Sequence, residues 1–263
     1  MKENILAQID TACPWRDTLH WYDTIDSTNT KAKELAKAGA PHGTVIVAGR
    51  QTGGRGRMGR SFSSPEGMGV YLSVILRPDC PADHLMHLTC AAGVAAMEAV
   101  KSVSGICPGI KWANDLVMGN KKLGGILTEL GFVGSTLDYA IIGIGINCCQ
   151  QVTDFPPELQ DIATSLLQSG KVVDPSLLAA ALTESLYQMD KILLVGKAQL
   201  MDTYRQHCIT LGKEIVVLQG DEKSEATALD LDADGGLLVR FTDGTEKTVN
   251  FGEVSIRGIC RYM

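Results

Sequence analysis

The 263-residue chain contains no run of about eighteen uninterrupted apolar residues, the minimum expected of a transmembrane helix. Its first residues, MKENILAQID, also lack the basic start and apolar stretch of a secretory signal peptide. The pattern therefore argues against both insertion into a membrane and export. We expect a cytoplasmic protein without membrane-spanning segments.

Common metal and disulfide motifs are missing as well. The eight cysteines never occur in a CxxC spacing, and the five histidines form no HExxH pair. We therefore expect reduced thiols and no structural metal, so that any metal would arrive with a phosphate ligand. The cysteines are scattered at Cys13, Cys80, Cys90, Cys107, Cys148, Cys149, Cys208 and Cys260.

Positive charge is scarce over most of the chain. There are 24 Lys and Arg residues against 30 Asp and Glu residues, a formal net charge of -6. Residues 211–263 alone hold ten acidic and six basic side chains. Such a surface repels a phosphate backbone, which disfavours nucleic acid as the main partner. A hydrophobic content of 45% indicates a globular protein with room for one large domain and a small one.

One segment reverses this charge balance. Residues 49–65, GRQTGGRGRMGRSFSSP, contain four arginines, five glycines and no acid. Glycine lets backbone N–H groups approach a ligand closely, and arginine offers paired donors for phosphate or carboxylate oxygens. The segment, here called the Gly/Arg loop, is consistent with closure over an anion. A solvated loop, a turn between strands and a single-strand nucleic-acid tract remain open as alternatives.

The residues on either side predict that two strands hold this loop. TVIVA at 44–48 is a β-branched run leading into it, and residues 70–76 alternate as a strand leaving it. Earlier, residues 20–25 alternate as a short strand. DSTNTKAKELAKAG at 26–39 predicts a helix with a polar N-cap and a glycine stop.

The middle of the chain predicts more strands and two longer helices. Residues 83–101 and 175–206 show the spacing of apolar residues typical of helices. IKWANDLVM and KKLGGILTEL predict two strands joined by a tight turn at Gly119 and Asn120. DYAIIGIGIN at 138–147 is apolar on both faces, which predicts a central strand.

After Gly212 the pattern changes to five short strand-like pieces separated by turn residues. This is typical of a small β-barrel or sandwich of about fifty residues. We place a domain boundary near residue 211. The expected fold class is α+β, with a mixed central β-sheet flanked by helices in residues 1–210 and a small β-barrel in residues 211–263.

Four segments together carry a family resemblance. They are DSTN at 26–29, GRGRMGR at 54–60, KWANDL at 111–116 with KKLGGIL at 121–127, and GIGIN at 143–147. In this order and spacing they resemble the biotin protein ligases over nearly the whole chain. The resemblance implies a catalytic domain like that of class II aminoacyl-tRNA synthetases and biotin ligases, followed by a C-terminal SH3-like β-barrel.

The resemblance also implies an activity. Biotin and ATP, with Mg²⁺, would form biotinyl-5′-AMP, and biotin would then pass to a lysine of a biotin carboxyl carrier protein or domain of a carboxylase such as acetyl-CoA carboxylase. Neither step needs a covalent enzyme intermediate. The protein must instead position the reactants, neutralise phosphate charge and keep water from the mixed anhydride.

The resemblance implies a biotin site in which the residues at the start of the first helix meet the Gly/Arg loop. The loop would act as a lid that retains biotinyl-AMP. Helix capping is an alternative role for Ser27 and Thr28, and strand packing is one for the glycines. The residues assigned to biotin are Ser27, Thr28, Asn29, Gln51, Arg55, Gly56, Arg57, Lys122, Gly124 and Gly125.

A nucleotide site is implied beside it. Lys111, Lys122 and Arg57 are assigned to catalysis at the reacting carboxylate and phosphates, and Asp115 to Mg²⁺, because magnesium prefers hard oxygen ligands. A turn is the alternative role for Asn114 and Asp115, and a strand-end cap for Asn147. The residues assigned to ATP or the adenylate are Arg57, Arg60, Lys111, Asn114, Gly143, Gly145 and Asn147. Contact of Phe62 with adenine, and of Arg257 with the nucleotide or carrier, stay open.

Two rival functions remain. A lipoate or octanoate ligase of related fold would use an equivalent lysine with a long apolar slot, whereas the polar cluster Ser27 to Asn29 with Gln51 favours biotin. A non-catalytic nucleic-acid-binding module is disfavoured by the acidic remainder of the chain. Only twenty-five residues precede Asp26, too few for a helix-turn-helix domain, so we expect no specific DNA binding.

Overall fold

The computed structural model describes residues 1–220, 222–250 and 255–258. Its larger sheet has seven strands in the order β1-β2-β3-β7-β6-β5-β4. β1 and β2 run parallel, and all other neighbours run antiparallel. The strands are β1 (Leu19–Ile25), β2 (Thr44–Gln51), β3 (Gly69–Leu76), β4 (Gly109–Lys111), β5 (Asp115–Met118), β6 (Lys121–Val133) and β7 (Thr136–Asn147). The predicted mixed sheet is confirmed, with β7 at its centre.

Helices cover both faces of this sheet. They are α1 (Lys2–Gln8), α2 (Thr28–Lys37), α3 (Leu88–Ser104), α4 (Pro175–Ile192) and α5 (Lys197–His207). α3 and α4 pack together on one face, where the alanine-rich surface of α3 allows close approach to the strands. On the other face, Ala32 and Ala36 of α2 pack against Ile46, Ile75 and Ile141. Alternation along the strands directs side chains to both layers.

Two predicted helices are interrupted, and both breaks involve one buried contact. The helix expected at 83–101 is a 3-10 turn at Ala82–Leu85 followed by α3, and the helix expected at 175–206 is divided into α4 and α5. His87, just before α3, is fully buried, and its Nε2 donates to the carbonyl of Leu193, which ends α4, at 2.8 Å. This long-range hydrogen bond joins the start of α3 to the end of α4. The spacing of apolar residues cannot predict it.

The prediction of one strand over IKWANDLVM was wrong, because residues 112–114 form a turn between β4 and β5. Trp112 leaves the strand: its backbone N–H donates to Thr210 Oγ1 at 2.9 Å and its indole N–H to the Gly235 carbonyl at 2.7 Å. Tyr204 Oη donates to the Ala113 carbonyl at 3.1 Å. Partners far along the chain therefore hold this turn.

The second sheet has five antiparallel strands in the order β11-β10-β9-β8-β12. They are β8 (Glu214–Gln219), β9 (Glu222–Leu231), β10 (Leu237–Phe241), β11 (Glu246–Val249) and β12 (Ser255–Gly258). All five predicted strand pieces are present, consistent with the SH3-like barrel expected there. The boundary predicted near residue 211 falls between α5 and β8, and it stays a prediction.

Ion pairs add to the indole contact between the two sheets. Arg205 on α5 donates to Asp230 on β9 at 2.8 Å, and Lys197 pairs with Asp234. The seven described cysteines are free thiols. Within the described ranges, no helix has the length and apolar character needed to cross a bilayer.

Arg77, just after β3, provides a test of the packing of α2. Its guanidinium donates to the carbonyls of Ala36 and Ala40, at 2.6 and 2.9 Å, and to Asp138 Oδ1 at 2.7 Å. We expect Arg77→Met to lower the free energy of unfolding by about 1.5 to 3 kcal/mol, because the carbonyls at the end of α2 lose a charged donor.

Urea unfolding checks this prediction, with Arg240→Met as the matched control. Arg240 pairs with Glu246 on the surface, where its side chain is 54% exposed, so its loss should cost less than about 1 kcal/mol. Equal costs for the two variants would contradict the role assigned to Arg77.

Candidate functional site

The large sheet bears a cavity of about 580 Å³, whose lining includes the last residues of β2, β4 and β7. Its walls are the start of α2, the Gly/Arg loop, the β4–β5 turn, strands β6 and β7, and the segment between β7 and α4. Such a pocket suits a small organic ligand. The predicted site residues that line it are Ser27, Thr28, Asn29, Gln51, Arg55, Gly56, Arg57, Arg60, Lys111, Asn114, Asp115, Lys122, Gly125, Gly143, Gly145 and Asn147.

A chain of polar groups joins the start of α2 to the end of β2. Ser27 caps α2, its Oγ accepting from the Thr30 N–H at 3.5 Å. The N–H and Oγ1 of Thr28 both donate to Gln51 Oε1, at 2.8 and 3.0 Å. Gln51 Nε2 in turn donates to Ser64 Oγ at 2.8 Å. Ser27 is therefore both the helix cap and a predicted ligand group, whereas the hydroxyl of Thr28 is held by Gln51.

Asn29 is fixed on both sides of its carboxamide. Its Oδ1 accepts from Ser73 Oγ at 2.7 Å, and its Nδ2 donates to Glu129 Oε2 at 2.9 Å. Any Cβ at Gly143 would collide with this carboxamide, so the glycine makes room for Asn29. Gly143 is thus explained by the packing of a neighbouring side chain.

The Gly/Arg loop forms a narrow hairpin of its own. The Gly56 N–H donates to the Arg60 carbonyl at 2.7 Å, and the Phe62 N–H donates to the Gly54 carbonyl at 2.9 Å. Met58 at the tip has φ 55°, a left-handed conformation uncommon outside glycine, and its side chain is 62% exposed. Internal bonds therefore define the hairpin, while the N–H groups of Thr52 and Gly53 at its base donate to the carbonyls of Ile25 and Asp26. Side chains attach the rest of the hairpin.

Phe62 is one of these attachments. Its half-buried ring lies over Gly145 on β7, so that a Cβ added at Gly145 would lie 2.5 Å from a ring carbon. The ring also meets Tyr71 edge-on, with centroids 6.4 Å apart. The described contacts of Phe62 thus explain it as a packing group of the loop.

Arg57 attaches the loop to the β4–β5 turn. Its guanidinium donates to Asn114 Oδ1 at 3.1 Å, and Asn114 Nδ2 donates to the Ile126 carbonyl at 2.9 Å. Burial lowers the pKa of Arg57, while the charge of Asp115 opposes that shift. The group remains a cation at neutral pH because its ordinary pKa is so high.

Lys122 and Asp115 form an ion pair on the cavity wall. Lys122 Nζ donates to Asp115 Oδ1 at 2.6 Å. A Cβ at Gly125 would lie 3.1 Å from Lys122 Nζ, so that glycine leaves space beside the pair. Lys111, buried at the end of β4, is in register with Asp115 on β5. A carboxylate thus lies between two lysines.

The backbone of Lys122 is held from the other wall. Its N–H donates to the Ile162 carbonyl at 2.7 Å, and its carbonyl accepts from the Thr164 N–H at 2.8 Å. The segment between β7 and α4 also gives the cavity an apolar wall, formed by Phe155, Leu159 and Ile162. The sequence does not predict this wall. Its irregular 3-10 turns carry no periodicity that would have identified it.

Two assigned residues have structural roles. Gly124 is not part of the described lining, and a Cβ there would lie 2.5 Å from the Gly145 carbonyl, so close strand packing explains it. Asn147 lines the cavity, but Nδ2 donates to the Thr164 carbonyl at 2.9 Å and Oδ1 accepts from Gln150 at 3.2 Å. Arg257 lies on β12 opposite Val216, and its side chain is outside the described residues.

The charge of the lining favours an anion. Five basic side chains, Arg55, Arg57, Arg60, Lys111 and Lys122, and one carboxylate, Asp115, are among the described lining residues. Within the described part of the chain, no cluster of three or more His, Cys, Asp or Glu side chains could hold a metal alone. The arrangement can bind and neutralise a polyanion beside a polar slot.

Two family models match the chain. Residues 21–147 match the biotin/lipoate A/B protein ligase family, and residues 210–257 match the biotin protein ligase C terminal domain. The bifunctional ligase/repressor BirA of Bacillus subtilis is 38% identical over 87% of this chain and 71% of its own length. The biotin--[acetyl-CoA-carboxylase] ligase of Mycobacterium tuberculosis is 33% identical over 87% of this chain and 85% of its own.

Solved structures give the same relationship. The biotin protein ligase from Aquifex aeolicus, in complex with biotin and ATP, aligns with a TM-score of 0.77 and 31% identity. The alignment covers 91% of this chain and 98% of that one. The enzyme from Leishmania major in complex with biotinyl-5-AMP aligns with a TM-score of 0.58 and 27% identity over 88% and 98%.

The contact of Phe62 with Gly145 provides a test of how the loop is held. We expect Gly145→Ala to displace the ring, so that trypsin cleaves after Arg55, Arg57 and Arg60 several-fold faster, as mapped by mass spectrometry. Phe62→Ala should have the same effect, because it removes the other partner.

Gly93→Ala on α3 is the matched control, because a Cβ there would make ordinary contacts at 3.6 Å. Unchanged cleavage in both Gly145→Ala and Phe62→Ala would show that Phe62 does not hold the loop.

Proposed function

The chain belongs to the biotin/lipoate A/B protein ligase family, and we propose that it is an ATP-dependent biotin protein ligase. It forms biotinyl-5′-AMP and transfers biotin to a lysine of a carrier protein or domain of a biotin-dependent carboxylase. The observation that carries this proposal is the cavity, in which a cationic wall and an arginine-bearing loop face a polar slot at the start of α2.

In the first step, a biotin carboxylate oxygen attacks the α-phosphorus of ATP. A bond forms between this carboxylate oxygen and the α-phosphorus. The bond between the α-phosphorus and the oxygen that bridges to the β-phosphate breaks, and pyrophosphate leaves with the electron pair of that bond. Both reactants are anions, so the repulsion between them must be neutralised. Lys111, Lys122 and Arg57 line the cavity and supply that charge.

In the second step, the amine of the carrier lysine attacks the acyl carbon of the mixed anhydride. An amide forms, AMP leaves as the phosphate monoester, and the amine loses a proton to solvent. Water would compete for the same carbon. The hairpin of the Gly/Arg loop, which forms part of the cavity lining, limits that hydrolysis.

Magnesium enters as part of the ATP substrate. Mg²⁺ is commonly held by one or two carboxylates together with phosphate oxygens and water. The half-buried carboxylate of Asp115 fits this pattern, because it lines the cavity beside the lysines assigned to the phosphates. Bound to phosphate, Mg²⁺ supplies further neutralisation of negative charge.

Biotin-dependent exchange of radioactive pyrophosphate into ATP tests the proposal. We expect exchange with biotin and none with lipoate or octanoate, followed by biotinylation of one lysine on a purified carrier domain. Exchange that requires lipoate or octanoate would overturn the assignment of biotin. The expected lack of specific binding to duplex DNA stays a separate prediction.

Lys122→Met tests the assigned catalytic role. We expect the exchange rate to fall about a hundredfold or more, because the reacting carboxylate and phosphate lose a fixed cation. Lys121→Met is the matched control: the neighbouring Lys121 donates to the Gln160 carbonyl at 2.8 Å and is outside the described cavity lining. Near-normal exchange in Lys122→Met, with circular dichroism unchanged, would refute the role.

A further inference from the structure

Glu129 on β6 joins three parts of the molecule that meet at the cavity. Its carboxylate accepts from Asn29 Nδ2 at 2.9 Å, from Lys33 Nζ at 2.9 Å and from Arg55 at 3.3 Å. Asn29 and Lys33 belong to α2, whereas Arg55 belongs to the Gly/Arg loop.

The first of these bonds determines which way Asn29 faces. With Nδ2 directed at Glu129 and at the Leu127 carbonyl, Oδ1 must accept from Ser73. A flipped carboxamide would place its oxygen against the carboxylate and the carbonyl, where like partial charges repel. The charge of Glu129 thus fixes the orientation of the Asn29 carboxamide on the cavity wall.

The bond with Arg55 attaches the Gly/Arg loop at the first arginine of its hairpin. The hairpin bonds between Gly54 and Phe62 and between Gly56 and Arg60 are internal, so they shape the loop without fixing it to the sheet. Backbone bonds from the N–H groups of Thr52 and Gly53 to the carbonyls of Ile25 and Asp26 anchor the base of the loop. Three side-chain contacts attach the hairpin itself: Phe62 over Gly145, Arg57 to Asn114, and Arg55 to Glu129. Of these three contacts, the one at Arg55 is the ion pair.

Glu129 keeps its charge in this setting. Burial alone would raise the pKa of its carboxyl, but hydrogen bonds from Lys33 and Asn29, with the charges of Lys33 and Arg55, hold that pKa below its usual value. The Glu129 side chain is 17% exposed and that of Arg55 is 45% exposed, so solvent screens the contact in part. Arg55 therefore meets a full negative charge at neutral pH.

We propose that Glu129 is a positioning residue that couples the biotin slot to the lid, by orienting Asn29 and by latching Arg55 of the Gly/Arg loop onto β6. This inference rests on the proposed ligase function. It changes the role of Arg55, which the sequence assigned to biotin itself: Arg55 acts on the lid, and through it on retention of biotinyl-AMP.

Glu129→Gln is the decisive variant, because it keeps the shape and an acceptor for Asn29 but removes the charge that holds Arg55. We expect the KM for biotin to rise about five- to tenfold, with kcat for pyrophosphate exchange within about twofold of the wild type. The rate of biotinyl-AMP release, measured by filter binding, should rise by a similar factor.

Asp138→Asn is the matched control. It removes a carboxylate from β7 that pairs with Arg77 at 2.7 Å, outside the described cavity lining. KM, kcat and the release rate should match the wild type. Equal effects from Glu129→Gln and Asp138→Asn, or a fall in kcat without a change in KM or release, would overturn the proposal.

A double-mutant cycle tests the latch itself. Arg55→Met should accelerate release of biotinyl-AMP as Glu129→Gln does, and the double variant should release it no faster than either single variant. If the two substitutions multiply each other's effect on the release rate, the two side chains act separately, and the latch is overturned.

Trypsin cleavage after Arg57 and Arg60 in the ligand-free protein gives a readout that needs no biotin. It should be several-fold faster in Glu129→Gln and normal in Asp138→Asn. Absence of exchange in the wild type would refute the ligase function, whereas unchanged cleavage in Glu129→Gln would refute the latch.

Discussion

The concentration of like charge around one cavity is the constraint on which the site depends. Several arginines and lysines converge there before any ligand supplies negative charge. Their mutual repulsion would favour an open loop unless carboxylates oppose it. Asp115 does so beside Lys122, and Glu129 does so beside Arg55 and Lys33. Two acids on neighbouring strands therefore allow a protein with an excess of acidic residues to maintain a cationic pocket.

Much of the fold was predictable because local patterns and long-range packing agree. Residues 44–48 are rich in β-branched side chains, and apolar residues alternate along 70–76, as expected of strands. Both segments form strands of the large sheet, with the Gly/Arg loop between them. The five strands after Gly212 are likewise defined by the turns that separate them. In these regions each residue's preference is met by its immediate neighbours, so no distant partner is needed to find the element.

The structure differs from the prediction where a contact with a residue far along the chain determines the local conformation. Trp112 turns out of its strand to reach Gly235, and His87 fixes two helix ends by reaching Leu193. Near the site, the sequence does not predict a role for Glu129, because it follows the glycines of KKLGGIL in a segment with the pattern of an ordinary strand. A signal existed: Gly125, Leu127 and Glu129 alternate along β6, and a carboxylate in that row calls for a cation opposite. Which cation it would meet depends on the sheet and loop together.

The position of Trp112 links the assembly of the molecule to its chemistry. Trp112 lines the cavity, while its indole N–H donates to the Gly235 carbonyl in the turn between β9 and β10. The turn that contains Trp112 also contains Asn114 and is followed by Asp115. Without the small sheet, a large aromatic surface and a buried donor would be left unmatched beside the nucleotide groups. The two sheets should therefore unfold as one cooperative unit, and a chain still emerging from the ribosome would complete this wall of the pocket only after the turn between β9 and β10 had formed.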